Sequence, residues 1–216
     1  MYKLFGAEGS GSAAIEIALK YCDVDYQLVT ASSWLAGEGS DVLKQLNPLT
    51  QVPTLVTDDG TVLTESAAIM IFLGLEFPSS GLLSRNHIER SQQLRSLVYI
   101  AANCYSPIGI IDYPERWLPT SAEEHLNLLK VGAKLRLYDH WNKFSDLFGS
   151  TAFWHPESPC APEILTSVVT RWSGTREYLS ASRPDFYDSL LLIDCQPIVC
   201  SVNQRHWCTD ESVKAL

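Results

Sequence analysis

The chain has 216 residues, 46% of them hydrophobic and 19% charged, with a formal net charge of -9, a composition that suits a packed globular core and excludes a disordered chain. The acidic balance argues against a nucleic-acid partner, because affinity for a phosphate backbone comes from clustered Lys and Arg that release counterions. The longest apolar runs, Ile69 to Leu75 and Leu190 to Ile193, fall short of the roughly 20 residues that cross a bilayer, so no membrane segment is expected.

In chain order, Tyr2 to Phe5 suits a short strand, and the glycine-rich stretch Gly6 to Gly11 suits a loop. Ala13, Ala14, Ile15, Ile17, Ala18 and Leu19 then give one small apolar helix face, with Ser10 or Ser12 as N-cap. Asp25 to Thr30 alternates like a second strand, and Ser32 to Leu46 holds a polar loop and a short helix that ends at Asn47-Pro48. This is a βαβ unit, with its ligand crevice expected at the carboxyl ends of the strands. Val52 to Thr57, the turn Asp58-Asp59-Gly60 and Thr61 to Leu63 read as a hairpin. Thr64 opens the next helix, with Glu65 in its first turn.

Phe77-Pro78-Ser79-Ser80-Gly81 has the breaker composition of a linker, dividing a first domain, 1–80, from a second, 81–216. The second reads as helices only, near 86–105, 121–148, 162–182, 184–195 and 199–206. Met1 to Leu4 leads straight into strand pattern without the basic region and longer apolar stretch of a signal peptide, so a cytoplasmic location is expected. The six cysteines, Cys22, Cys104, Cys160, Cys195, Cys200 and Cys208, are scattered without CxxC spacing and are expected as free thiols. Beside the last three stands a single imidazole, His206, which does not make a zinc site, so no metal is expected.

The βαβ unit, then Asn47-Pro48-x-x-Gln51-Val52-Pro53, then Glu65-Ser66 at a helix start resembles the cytosolic glutathione transferase family, bacterial-like and of the serine type. The resemblance covers the first eighty residues. It implies an α/β thioredoxin-like domain (βαβ-ββα) that binds glutathione, followed by an all-α helical bundle that forms the site for a small hydrophobic electrophile. It also implies a homodimer engaged in detoxification, with glutathione as substrate and no metal.

Residue by residue, proline makes a cis bond feasible at Val52-Pro53, and the resemblance implies that it is cis, with the Val52 backbone pairing with the cysteinyl unit of glutathione. Ser66, at a helix start, would take the γ-glutamyl carboxylate, and Glu65 its ammonium group. Ser10 and Ser12 are the two candidates for the hydroxyl that holds the thiol as thiolate. Gln51 stands where many relatives carry a lysine, which leaves a hydrogen-bond donor but no cation for the glycyl carboxylate. Glu8 adds a negative charge to the same loop, which opposes a thiolate unless a cation intervenes.

In the second domain, Tyr105, Tyr113, Arg116 and Trp117 are candidates for the second-substrate pocket. Arg171-Trp172 falls on what would be the central buried helix. At that helix's start, where relatives open with Ser or Thr, Cys160 precedes Glu163 at capping-box spacing, and Ser158-Pro159 is a rival start. Besides a transferase, the pattern also fits a protein of this fold that binds partners with little turnover, or a glutathione-dependent reductase.

Overall fold

The computed structural model describes residues 1–119, 122–149 and 151–207. Strand β1 (Tyr2–Gly6) pairs in parallel with β2 (Tyr26–Thr30), with Leu4 opposite Leu28. On its other side it pairs antiparallel with β3 (Thr54–Val56), which pairs with β4 (Val62–Leu63), so the sheet order is β2-β1-β3-β4. Helix α1 (Ser12–Tyr21) crosses between the parallel strands, α2 (Glu38–Leu46) follows β2, and α3 (Ser66–Glu76) follows the hairpin. This is the βαβ-ββα order expected from the sequence.

Each helix sits where its apolar surface dictates. Residues 12–19 of α1 are buried all round, which a helix tolerates only inside a core. It packs against α3 and against α7 (Ala161–Val169) of the helical half. By contrast α2 buries only Ser40 and Leu43, and covers the opposite face of the sheet over Phe5 and Ala31. The main core is continuous from Leu4 and Leu55 in the sheet, through Ile15 and Ile69, to Ile164 and Trp141, so the two halves share one interior.

The expected boundary near residue 80 falls in a turn, Pro78–Ser80, closed by Gly81 at φ 75. The chain beyond it is anchored at once: Leu82 is fully buried, and its carbonyl accepts the Ala161 N–H at 2.9 Å. Leu83 lies against Gly74, where an added Cβ would meet its Cγ at 2.5 Å.

The helical half differs in detail from expectation. The segment expected as a helix over 86–105 extends to Asp112 as α4 (His87–Tyr99), a π-helical turn Ile100–Cys104, and α5 (Tyr105–Asp112). Pro107 explains the interruption, since it has no N–H and its ring crowds the carbonyl one turn back. The run 87–112 is long and apolar enough to cross a membrane by length and composition, a test that a core helix also passes. Here α4 packs on α7, and α5 packs on α6 (Glu123–Phe144). A second π-helical turn, Ser145–Gly149, continues α6.

The segment expected as one helix over 162–182 is two, α7 and α8 (Thr175–Ser182), because Ser173 and Gly174 adopt φ of 58 and 73 and reverse the chain. Helices α9 (Pro184–Asp194) and α10 (Pro197–Trp207) follow. Cys160, not Ser158, caps α7. The Glu163 carboxylate accepts the Cys160 N–H at 3.2 Å and its thiol at 2.6 Å, so the capping box forms with cysteine in the place of serine. Helix α10 is fastened to α1 by the fully buried Glu16, which accepts from Tyr26 Oη at 3.0 Å and pairs with Arg205 and with His206 Nε2 at 3.2 Å. A carboxylate so deep in a core needs that set of partners. Cys22, Cys104, Cys160, Cys195 and Cys200 are free thiols, and Cys208 lies outside the described residues.

Candidate functional site

The loop after β1 turns back on itself through its own serines. Ser10 Oγ donates to Ala7 O at 2.7 Å, lies 2.8 Å from Ser12 Oγ, and accepts the Ser12 N–H at 3.2 Å. Ser12 Oγ donates to Ala7 O at 3.3 Å and packs beneath Gly6, where an added Cβ would lie 2.3 Å from it. Ser10 is 7% exposed and Ser12 is fully buried. Both hydroxyls thus find partners within the loop, on Ala7 O and on each other. Neither residue is the N-cap: Gly11 holds that position, and no side chain caps α1.

Gly11 is where the elements converge. A Cβ built there would stand 3.4 Å from Pro53 Cδ, 3.4 Å from Tyr105 Oη and 3.7 Å from Trp172 Cη2. Tyr105 Oη in turn lies 3.0 Å from Ser66 Oγ. Thus the N-termini of α1 and α3, the loop ahead of β3 and the start of α5 converge on Gly11, where the sequence places the ligand crevice.

Val52-Pro53 is a cis bond, and among the described residues no protein group pairs with the Val52 N–H or C=O. The loop is shaped by Asn47. Its Nδ2 donates to Gln51 O and Thr54 Oγ1, both at 3.1 Å, while its Oδ1 accepts the Leu49 N–H at 3.0 Å. In the sequence Asn47 stands out only as part of a pattern, although an asparagine before proline in a turn commonly bonds the backbone two residues on. Gln51 is exposed at the loop's edge.

Glu65 was expected in the first turn of α3. It is instead the N-cap, at φ 65, and its side chain makes no cap bond. The first N–H groups of α3 and its positive dipole end are therefore left to Ser66 and the crevice.

Tyr105 was expected in the second-substrate pocket, and the structure brings it to Ser66 and Gly11. Burial pushes its phenol up to about 12, against the opposing influence of the Ser66 hydrogen bond. Trp172 lies past the end of α7, with its Nε1 donating to Gly9 O at 3.0 Å and its ring 6.1 Å from that of Tyr105. The remaining pocket candidates stand apart. The Arg116 guanidinium lies 3.9 Å over the Tyr113 ring, Trp117 is 56% exposed, and no hydrogen bond or ring contact among the described residues ties the three to the crevice. A surface hollow of about 840 Å³ opens elsewhere, beside Gly81, Gln93, His155 and Cys160, and contains none of the crevice residues.

The acidic Glu8 is exposed, and its field acts on Arg205 and His206 of α10.

The family described as glutathione S-transferase, N-terminal domain, matches residues 12–75. Glutathione S-transferase GstA of Escherichia coli O157:H7 is 34% identical over 144 residues, which span 64% of this chain and 72% of that protein. The chain belongs to the glutathione S-transferase family. An uncharacterized GST-like protein of Escherichia coli K12, YncG, is 38% identical over 125 residues, 57% of this chain and 60% of that relative. A glutathione transferase homolog from Sulfitobacter, solved with bound glutathione, superposes with a TM-score of 0.78 at 19% identity, over 95% of this chain and 98% of that one. That likeness shows the fold: a thioredoxin-like glutathione S-transferase domain followed by helices.

Proposed function

We propose that this chain is a glutathione transferase whose thiol substrate lies along the crevice between Val52 and Ser66. The observation that carries this reading is the convergence at Gly11 of Pro53, Tyr105 and, through Tyr105, Ser66. A tripeptide laid across these groups finds a complementary partner for each of its parts. The unpaired Val52 N–H and C=O suit the cysteinyl backbone as an added strand. The open N-terminus of α3 and the Ser66 hydroxyl suit the γ-glutamyl carboxylate, and Glu65 its ammonium group. Gln51, at the loop's edge, offers an amide to the glycyl carboxylate. Held so, the cysteinyl sulfur points to the N-terminus of α1, whose dipole favours the thiolate. The thiolate then attacks an electrophilic carbon held against the helical half, and proximity supplies much of the rate.

A reductase that uses glutathione without a protein thiol is the other reading of this fold, and disulfide or peroxide reduction in a coupled assay separates it from a transferase. Homodimerisation is part of the proposal. Leu128, Val131 and Leu135 form an exposed apolar stripe along one face of α6, a surface that self-association would cover. Sedimentation velocity tests it, and a monomer at all concentrations would remove it.

The functional reading is tested by isothermal titration with glutathione together with conjugation of 1-chloro-2,4-dinitrobenzene. Saturable binding, weakened at least tenfold by Ser66→Ala, and measurable conjugation are expected. A folded protein that binds no glutathione would overturn the reading, and binding without turnover on any electrophile would leave a binding protein.

A further inference from the structure

A Cβ placed at Gly11 would stand as near to a hydroxyl of the helical half, Tyr105 Oη, as to Pro53 Cδ of the first domain. Gly11, at the N-cap of α1, has no side chain, and the hydroxyls of Ser10 and Ser12 bond within the loop to Ala7 O and to each other. We propose that Tyr105, from the helical half, is the catalytic hydroxyl: its phenol O–H donates a hydrogen bond to the glutathione sulfur and stabilises the thiolate. This rests on the glutathione reading above and assigns the group that activates the thiol.

The argument is geometric. The space next to the helix start, into which a side chain at position 11 would reach, is bounded by Pro53 Cδ and by Tyr105 Oη, each 3.4 Å from a Cβ placed there. In this proposal the sulfur of a cysteinyl unit paired to Val52 lies on the open side of these groups, against Tyr105 Oη. The phenol is fixed rather than free to swing. Its oxygen is 3.0 Å from Ser66 Oγ, its ring lies tilted against Trp172 at 6.1 Å, and Trp172 is itself tied to Gly9 O. The π-helical turn 100–104 immediately precedes it, the kind of local widening that recurs at functional sites because it re-aims the residue that follows.

The hydrogens balance. Between them Ser66 and Tyr105 carry two hydroxyl hydrogens. With glutathione bound, the Ser66 hydrogen goes to the γ-glutamyl carboxylate or to Tyr105 Oη, and in either case the phenol hydrogen is free for sulfur. The thiol proton leaves to solvent water, and Tyr105 keeps its own. Burial holds the phenol protonated at neutral pH, so it serves as a donor and not as a base. A preorganised donor aimed at the forming anion is what such a site needs, and the N-terminal dipole of α1 acts in the same direction.

The test is the pKa of bound glutathione, followed through thiolate absorbance near 240 nm in the wild type, Tyr105→Phe and Ser10→Ala. Phenylalanine keeps the ring and its packing on Trp172. The expected result is a rise of about one unit in Tyr105→Phe, with a roughly tenfold fall in kcat/KM at neutral pH, and no change in Ser10→Ala. Binding of S-methylglutathione, which has no ionisable thiol, is expected to stay within about twofold of wild type in Tyr105→Phe. An unchanged thiol pKa in Tyr105→Phe would overturn the proposal while leaving glutathione binding intact. Equal weakening of S-methylglutathione and glutathione would also overturn it, by showing that the phenol acts through Ser66 on the headgroup. If Tyr105→Phe fails to fold, 3-fluorotyrosine at position 105 replaces it, and the more acidic phenol should lower the bound thiol pKa; no shift there refutes the assignment. Absence of glutathione binding in the wild type would defeat the functional reading itself and, with it, this assignment.

Discussion

Removing the Glu163 carboxylate tests how the helical half is held together. Glu163 is fully buried at the start of α7, and Oε1 accepts the His155 N–H at 3.0 Å, while Oε2 accepts the Cys160 N–H at 3.2 Å and the Cys160 thiol at 2.6 Å. Alanine leaves the two backbone donors without this partner. Hydrogen bonds to a charged acceptor contribute about 1.5–3 kcal/mol each, and the low end applies here because burial already opposes the charge, pushing the Glu163 carboxyl up. The loss from the two N–H bonds is therefore about 3 kcal/mol, which for a chain of this size lowers Tm by about 6–12 °C. Glu163→Gln keeps one carbonyl oxygen and removes the buried charge, so its cost should be about 1 kcal/mol. Urea unfolding at neutral pH, followed by tryptophan fluorescence, measures both. Glu163→Ala within about 1 kcal/mol of wild type, or Glu163→Gln as damaging as alanine, would refute the reasoning.

The same residue gives a pH dependence. Its folded pKa is raised above the ordinary 4.5, so its contribution is fully present below the unfolded pKa and is lost as pH rises through the folded pKa. Wild type should lose stability relative to Glu163→Gln as pH rises above 4.5 and through the raised folded pKa, and a difference that stays constant with pH would contradict this. Two glycines in helices should respond oppositely to alanine. At Gly74 the new Cβ would meet Leu83 Cγ at 2.5 Å, so destabilisation of about 1–3 kcal/mol is expected. At Gly132 in α6 nothing lies within 4 Å, so a gain of about 0.5–1 kcal/mol is expected in the same unfolding assay. Asn47→Ala removes three bonds that shape the loop before Pro53. Its glutathione Kd should rise about tenfold, with kcat reduced less than binding; an unchanged Kd would separate Asn47 from the site.

Much of the first domain was legible because its signals are local. Strand, small-residue helix, strand, Val-Pro and Glu-Ser each follow from a few neighbouring residues, and the structure has all of them in that order. Features that depend on distant partners were not. Glu16 reads as one charged residue in an apolar helix, and its partners Arg205 and His206 are 189 and 190 positions away. Ser10 reads as a hydroxyl beside a helix start, but the tight turn that aims it at Ala7 O is set by backbone geometry. Tyr105 reads as an aromatic on a helix. Pro107 signals an interrupted helix only in kind, and the π-helical turn ahead of it goes with the ring reaching Ser66 in the other half of the molecule. Ser173-Gly174 carried a readable signal, since glycine near a helix end favours left-handed backbone, and it does divide the expected helix over 162–182.

The most direct test of the account is a crystal structure of the wild-type protein with glutathione bound. The account predicts the cysteinyl backbone paired to Val52, the γ-glutamyl carboxylate at Ser66 and the sulfur beside Gly11, within hydrogen-bond distance of Tyr105 Oη. A sulfur directed at Ser10, or glutathione bound away from this crevice, would contradict it.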